Sequence, residues 1–231
     1  MARKNDLKMK IFGVLFGLIF LAGSGFQALK MLEVTPEQSL AKAESLMLAN
    51  KLPEALAEAE QAAAKAPKDE RFWVLQANLQ LKMGSPEKAL PLFEKALGIN
   101  PNSVLAHESI AVIYANKRNW VQAEKHLQAA LKVENKNGVA HNNLGVIYLE
   151  QKQPAKAEAA FQKAIEVDPR NGDSYRNLGA LYRQQGNREK SDKYLMNYLK
   201  LFPKAPDAEE IRAVLRKSMQ SEATAKPKPQ S

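Results

Sequence analysis

Three histidines, His107, His126 and His141, are the side chains best equipped for acid–base or metal chemistry in this chain. His107 and His141 stand 34 residues apart, and Trp73 and Tyr175 lie one further interval to either side. A place held by Trp, His, His and Tyr asks for a flat ring, so both histidines are expected to pack between helices rather than bind a metal. His126 has no counterpart at that interval. Glu150 and Glu158 fall on mostly polar faces and are expected to be solvated. The chain contains no cysteine, which excludes disulfides, thiol catalysis, cysteine-bound metal and a lipid-modified cysteine. No glycine-rich phosphate loop and no nucleophile motif is present. The expectation is a protein that is not an enzyme, with no catalytic residue, no metal and no cofactor.

The 34-residue interval extends well beyond the histidines. Residues 138–171 read GVAHNNLGVIYLEQKQPAKAEAAFQKAIEVDPRN, and the pattern runs without insertion through 36–69, 70–103, 104–137, 138–171 and 172–205. Position 8 of each window is small (Ala43, Ala77, Ala111, Gly145, Gly179), as two closely approaching helices require. Position 20 is Ala55, Ala89, Ala123, Ala157 and Ser191, and position 24 supplies the bulk of Phe93, Leu127, Phe161 and Leu195. Positions 4, 7, 8 and 11 follow the spacing of one buried helical face. Proline at position 32 (Pro67, Pro101, Pro169, Pro203) ends a helix. The first window fits least well, with Ser39 and Lys42 at positions 4 and 7. Gln76 and Gln80 put the packing of the second window's first helix in doubt.

These residues and spacings resemble the tetratricopeptide repeat, a helix–turn–helix unit of 34 residues. The resemblance implies an all-α fold: an α-solenoid of five such units, because one hairpin cannot bury its apolar face alone. A capping helix is expected over 206–219, where Ile211, Val214 and Leu215 form a stripe behind a capping Asp207. Residues 220–231 lack apolar content and are expected to be disordered.

Residues 1–35 are set apart. A basic start (Arg3, Lys4, Lys8, Lys10) precedes an apolar run from Ile11 to Leu29. That run is long enough for a membrane anchor, while Ala22-Gly23-Ser24 offers a signal-peptide cleavage site. The anchor is the preferred reading. Either way the basic flank stays in the cytoplasm, which places the repeats in the periplasm of a bacterium.

The net charge of +9 is concentrated at the N-terminus and in the fifth window, which carries +4. No long basic run occurs, so nucleic acid is not expected as a partner. The expected partner is a protein or peptide segment. In the family, first helices line a concave groove through positions 2, 5, 6, 9, 12 and 13. Carried onto this sequence, the groove holds Leu75, Asn78 and Leu81, with Leu40, Met47, Leu48 and Val74, in the first two windows. In the last two it holds Asn142, Asn143, Arg176, Asn177 and Arg183. Position-6 asparagines (Asn143, Asn177) match the family's ligand-backbone contact, since an amide both donates and accepts. Arg176 and Arg183 would meet an acidic group. The family's chaperone-tail clamp is not carried over, because Leu40, Glu44, Leu105 and Ser109 do not supply it. The functional expectation is a membrane-tethered adaptor in bacterial envelope or pilus assembly. The alternative is a self-associating structural protein that coats a membrane.

Overall fold

Among the described residues every hairpin turn is made by a left-handed residue at position 15: Asn50 (φ 57°), Gly84 (75°), Arg118 (56°), Lys152 (59°) and Gly186 (76°). Only glycine takes that conformation freely. Asn50, Arg118 and Lys152 adopt it because the two helices around them are already fixed by packing. The computed structural model describes residues 35–225, without the side chains of 221–225. Eleven helices lie among these residues: α1 (Pro36–Leu48), α2 (Leu52–Lys65), α3 (Glu70–Lys82), α4 (Pro86–Ile99), α5 (Val104–Asn116), α6 (Trp120–Val133), α7 (Gly138–Glu150), α8 (Pro154–Val167), α9 (Gly172–Gln184), α10 (Arg188–Leu201) and α11 (Ala208–Ala225). First helices start at position 1 of each 34-residue window and second helices at position 17. No strand is present among the described residues.

Their starts have local causes. Thr35 and Gln38 form a reciprocal capping box ahead of Pro36. Asp69, Asn119, Asn137, Asn171 and Asn187 each accept a backbone N–H from the first turn of the helix they precede. The expected membrane segment, 11–29, lies outside the described residues. Among those residues no helix is long and apolar enough to cross a membrane.

The described residues fall into two compact units divided after Ser85, inside the second window. In the first unit α1, α2 and α3 pack around Ala43, Ala55, Ala59, Leu75 and Leu79, with Phe72 buried against Ala62 and Ala63. The polar substitutions here are absorbed. Ser39 is buried, and buried Gln76 donates Nε2–H to the Ala59 carbonyl at 3.2 Å, so its amide joins α3 to α2. The first helix of the second window is therefore well packed. Lys42 pairs with Glu58 at the surface.

In the second unit the second helix of one repeat packs on the first helix of the next. Ala123 and Leu127 of α6 meet Leu144 and Ile147 of α7. Ala157 and Phe161 of α8 meet Leu178, Leu181 and Tyr182 of α9. Leu195 and Tyr198 of α10 meet Ile211 and Leu215 of α11. Small residues at position 8 allow the approach within the hairpins of this unit. A Cβ on Gly145 would lie 2.5 Å from the Phe161 ring, and one on Gly179 would lie 2.6 Å from Leu195. At position 20 of the fifth repeat, Ser191 replaces alanine and is buried, its hydroxyl donating to the Gly179 carbonyl at 2.8 Å.

The last helix departs from expectation in length. It continues to Ala225, six residues into the stretch expected to be disordered. Ile211 and Leu215 of this helix pack against Leu195 and Tyr198 of α10.

Candidate functional site

The ring at position 4 has a single job in three successive repeats. Trp73 donates Nε1–H to the Pro67 carbonyl (3.0 Å), while His107 Nε2 lies 3.1 Å from the Pro101 carbonyl and His141 Nε2 lies 3.0 Å from that of Asn135. Each closes the carbonyl at position 32 of the preceding window, so the histidines are structural. His126, without a counterpart in the sequence, completes His107: their Nδ1 atoms lie 3.0 Å apart, and Tyr114 stacks on the His126 ring. With Nε2–H of His107 spent on Pro101, its Nδ1 must accept and His126 Nδ1–H must donate.

Burial, with the nearby His107 and Lys125, pushes the His126 pKa down to about 4. Unfolding restores an ordinary imidazole near 6.5, which takes up a proton that the folded state refuses. Stability should therefore fall as the pH drops from about 6.5 to about 4. Urea midpoints measured across that window should decline in the wild type and decline less in His126→Phe. Identical pH profiles would contradict the arrangement.

Position 5 also proves structural. Asn137, the cap of α7, donates to Glu108 at 2.8 Å, and burial raises the Glu108 pKa. Asn142, buried, accepts from Asn177 Nδ2 at 3.0 Å, and the Ser174 hydroxyl lies 3.0 Å from Asn142 Oδ1 and 2.9 Å from the cap Asn171. Arg176 bonds Asp173 at 2.9 Å and Asp207, at the start of α11, at 3.2 Å. In each case a position-5 side chain reaches the cap region of the next helix but one: α7 from α5, α9 from α7 and α11 from α9. Asn142, Arg176 and Asn177 thus join neighbouring repeats, Asn142 as a buried group, Asn177 half-buried and Arg176 still exposed.

Glu158 is likewise not merely solvated. It accepts the Tyr182 hydroxyl at 2.5 Å, as Glu124 accepts that of Tyr148 at 3.3 Å. Burial and Glu158 push the Tyr182 pKa up to about 12.

The remaining groove residues separate. Leu75 and Val74 are core, each 7% exposed. Leu40 and Met47 pack against the same cluster, and Leu48 is exposed. Asn78 and Leu81 are half-buried in the first unit. Arg183 lines a cavity beside α11. That leaves Asn143. It is half-buried, makes no side-chain hydrogen bond within the described residues, and stands at an apolar slot of about 110 Å³ between α5 and α7.

The floor of that slot is Ala111, Leu127 and Ile147; Trp120 closes one side, and Val112 (45% exposed) and Val146 (39%) form its mouth. Leu105 and Val139 extend the open apolar face along the same two helices. Sequence reasoning passed over Val112 and Val146, although both occupy position 9, a groove position. Among the described residues no group of three or more metal-ligating side chains is gathered.

Hairpins recurring every 34 residues, each resting its second helix on the next first helix, define an all-α helical-repeat protein. Models of the tetratricopeptide repeat match residues 40–104, 80–145, 138–171 and 160–193, and the third of these matches coincides with the fourth window. The chain belongs to the tetratricopeptide repeat family. No curated protein sequence matches it. Among solved structures it is similar in fold to PilF of Pseudomonas aeruginosa (TM-score 0.73, 14% identity, 82% of this chain and 86% of that one). It is similar to PilW, described as a widely conserved type IV pilus biogenesis factor (0.65, 20%, 81% and 98%). It is also similar to YrrB, described as a tetratricopeptide repeat protein with an unusual peptide-binding site (0.62, 20%, 81% and 97%).

Proposed function

We propose that this protein is an adaptor that holds a segment of another protein across the first helices of its third and fourth repeats. The observation that carries the reading is the open slot of Val112, Trp120 and Val146 with the unpaired amide of Asn143 on its wall. An apolar cavity of about 150 Å³ accommodates a benzene ring, so a slot of about 110 Å³ suits an aliphatic side chain. Beside it, Asn143 can donate to one peptide group and accept from another. Burying the mouth valines under the ligand adds the apolar contribution.

The setting we propose is the bacterial envelope, with residues 11–29 holding the protein to a membrane and the repeats on the side away from the basic N-terminus. The fold likeness to PilW supports a place in envelope or pilus assembly, and the likeness to YrrB supports a peptide as ligand.

The test compares two neighbouring asparagines. Asn143→Ala combined with Val146→Glu should leave the urea midpoint within about 0.5 kcal/mol of wild type and weaken partner recovery at least about tenfold. Asn142→Ala should do the reverse, destabilising by about 1–3 kcal/mol because Asn177 loses its acceptor and a buried amide is removed from between the repeats. Full partner recovery by the Asn143/Val146 variant would remove this face as the binding site.

A further inference from the structure

The slot between consecutive repeats recurs at the end of the array, and there its character is inverted. Between α5 and α7 it is walled by Ala115 (position 12), Trp120 (position 17) and Ile147 (position 10 of the next repeat). The last helix, α11, stands where the first helix of a sixth repeat would be. Asp207 sits at its start as Asn171 does before α9. Ser218 bonds Asp192 as Tyr182 bonds Glu158, one repeat earlier. Counted from Ala208, Lys217 is position 10 of that helix, the place of Leu79, Ile113, Ile147 and Leu181 in the repeats, all of them buried.

The three wall positions of this last slot are Arg183, Arg188 and Lys217, and the cavity they line measures about 350 Å³. All three are exposed, and Arg183 and Lys217 have no ion pair among the described residues. Gly186 and Val214 complete the wall.

We propose that this terminal slot binds a carboxylate-bearing peptide segment, making it a second binding site with a chemistry opposite to that of the apolar slot. Guanidinium forks match carboxylates in plane and in pairs. Carboxylate is favoured over phosphate because Asp192 is part of the lining. Its charge opposes a dianion more strongly than a monoanion. The cavity also exceeds what one phosphate would fill, and Val214 offers an apolar wall for the methylenes of an aspartate or glutamate. The site shares no residue with the slot at Asn143, so it stands or falls independently of that reading.

The probe is a fluorescein-labelled hexaglutamate peptide titrated into the full chain by fluorescence anisotropy. Arg183→Glu and Lys217→Glu, and more mildly Arg183→Gln and Lys217→Gln, should weaken binding, the charge reversals by at least about tenfold. Lys132→Glu makes the same change of charge on exposed α6 and should alter it less than about twofold. In amide spectra, hexaglutamate should shift Gly186, and inorganic phosphate at equal concentration should not. Equal losses from Lys132→Glu and the slot variants would show attraction by net charge alone and overturn the site. A Gly186 shift with phosphate as large as with peptide would overturn the carboxylate assignment.

Discussion

Phe161→Ala is expected to destabilise the second unit by about 3–5 kcal/mol. The ring is fully buried and fills the space between α7, α8 and α9, against Leu178 and Leu181. No smaller side chain reaches all three helices, so the cavity cannot close by local relaxation. The same ring defines what Gly145 can become. A Cβ at 145 would lie 2.5 Å from the Phe161 ring, inside contact distance of a group with nowhere to move. Gly145→Leu should therefore cost about 3 kcal/mol or more, at or beyond the usual range for overpacking. The two changes should couple: in Gly145→Leu/Phe161→Ala the leucine enters space the ring has left, and the loss should be smaller than the sum. Urea unfolding of the four proteins checks this. Additive losses, or a near-neutral Phe161→Ala, would mean that the ring does not sit on the glycine.

Ile211→Ala/Leu215→Ala should destabilise the array by about 3 kcal/mol or more. Both side chains are almost fully buried against Leu195 and Tyr198. The end of the fifth repeat also leans on α11 through polar bonds. The Tyr198 hydroxyl donates to Asp207 at 2.7 Å, Arg176 joins the same carboxylate, and Arg212 donates to the Pro203 carbonyl at 2.6 Å. The hydrogen bond from Tyr198, then Arg176, holds the Asp207 carboxyl below its ordinary range. Loosening α11 should expose apolar surface on α10 as well as lower the midpoint. Unchanged thermal and urea midpoints would remove the capping role from α11.

The repeat was legible because its determinants are local or strictly periodic. Small residues at position 8, bulk at position 24 and proline at position 32 report one packing geometry, and 34-residue spacing repeats the report. What escaped depends on how one repeat meets the next. Asn143 and Asn177 look like a ligand pair in sequence, but stacking turns Asn177 to Asn142 of the preceding repeat. Arg176 looks free until Asp207 is folded back beside it. Leu75 carries a groove position yet is drawn into the core, with Ala43 and Ala59 against it. The left-handed turns at Arg118 and Lys152 gave no sign, because nothing in those side chains favours positive φ. Val112 and Val146 could have been found from position 9 alone. Their significance came only with the slot between them.

The most direct test of the account is a photo-crosslinking amino acid placed at Val146, at the mouth of the slot, in cells that make the native protein. Val121, on the second helix α6 and 70% exposed, is the control on a different face. The account predicts a discrete crosslinked partner from position 146 that disappears when Asn143→Ala is added, and none from position 121. No crosslink at 146, or the same product from both positions regardless of Asn143, would contradict it.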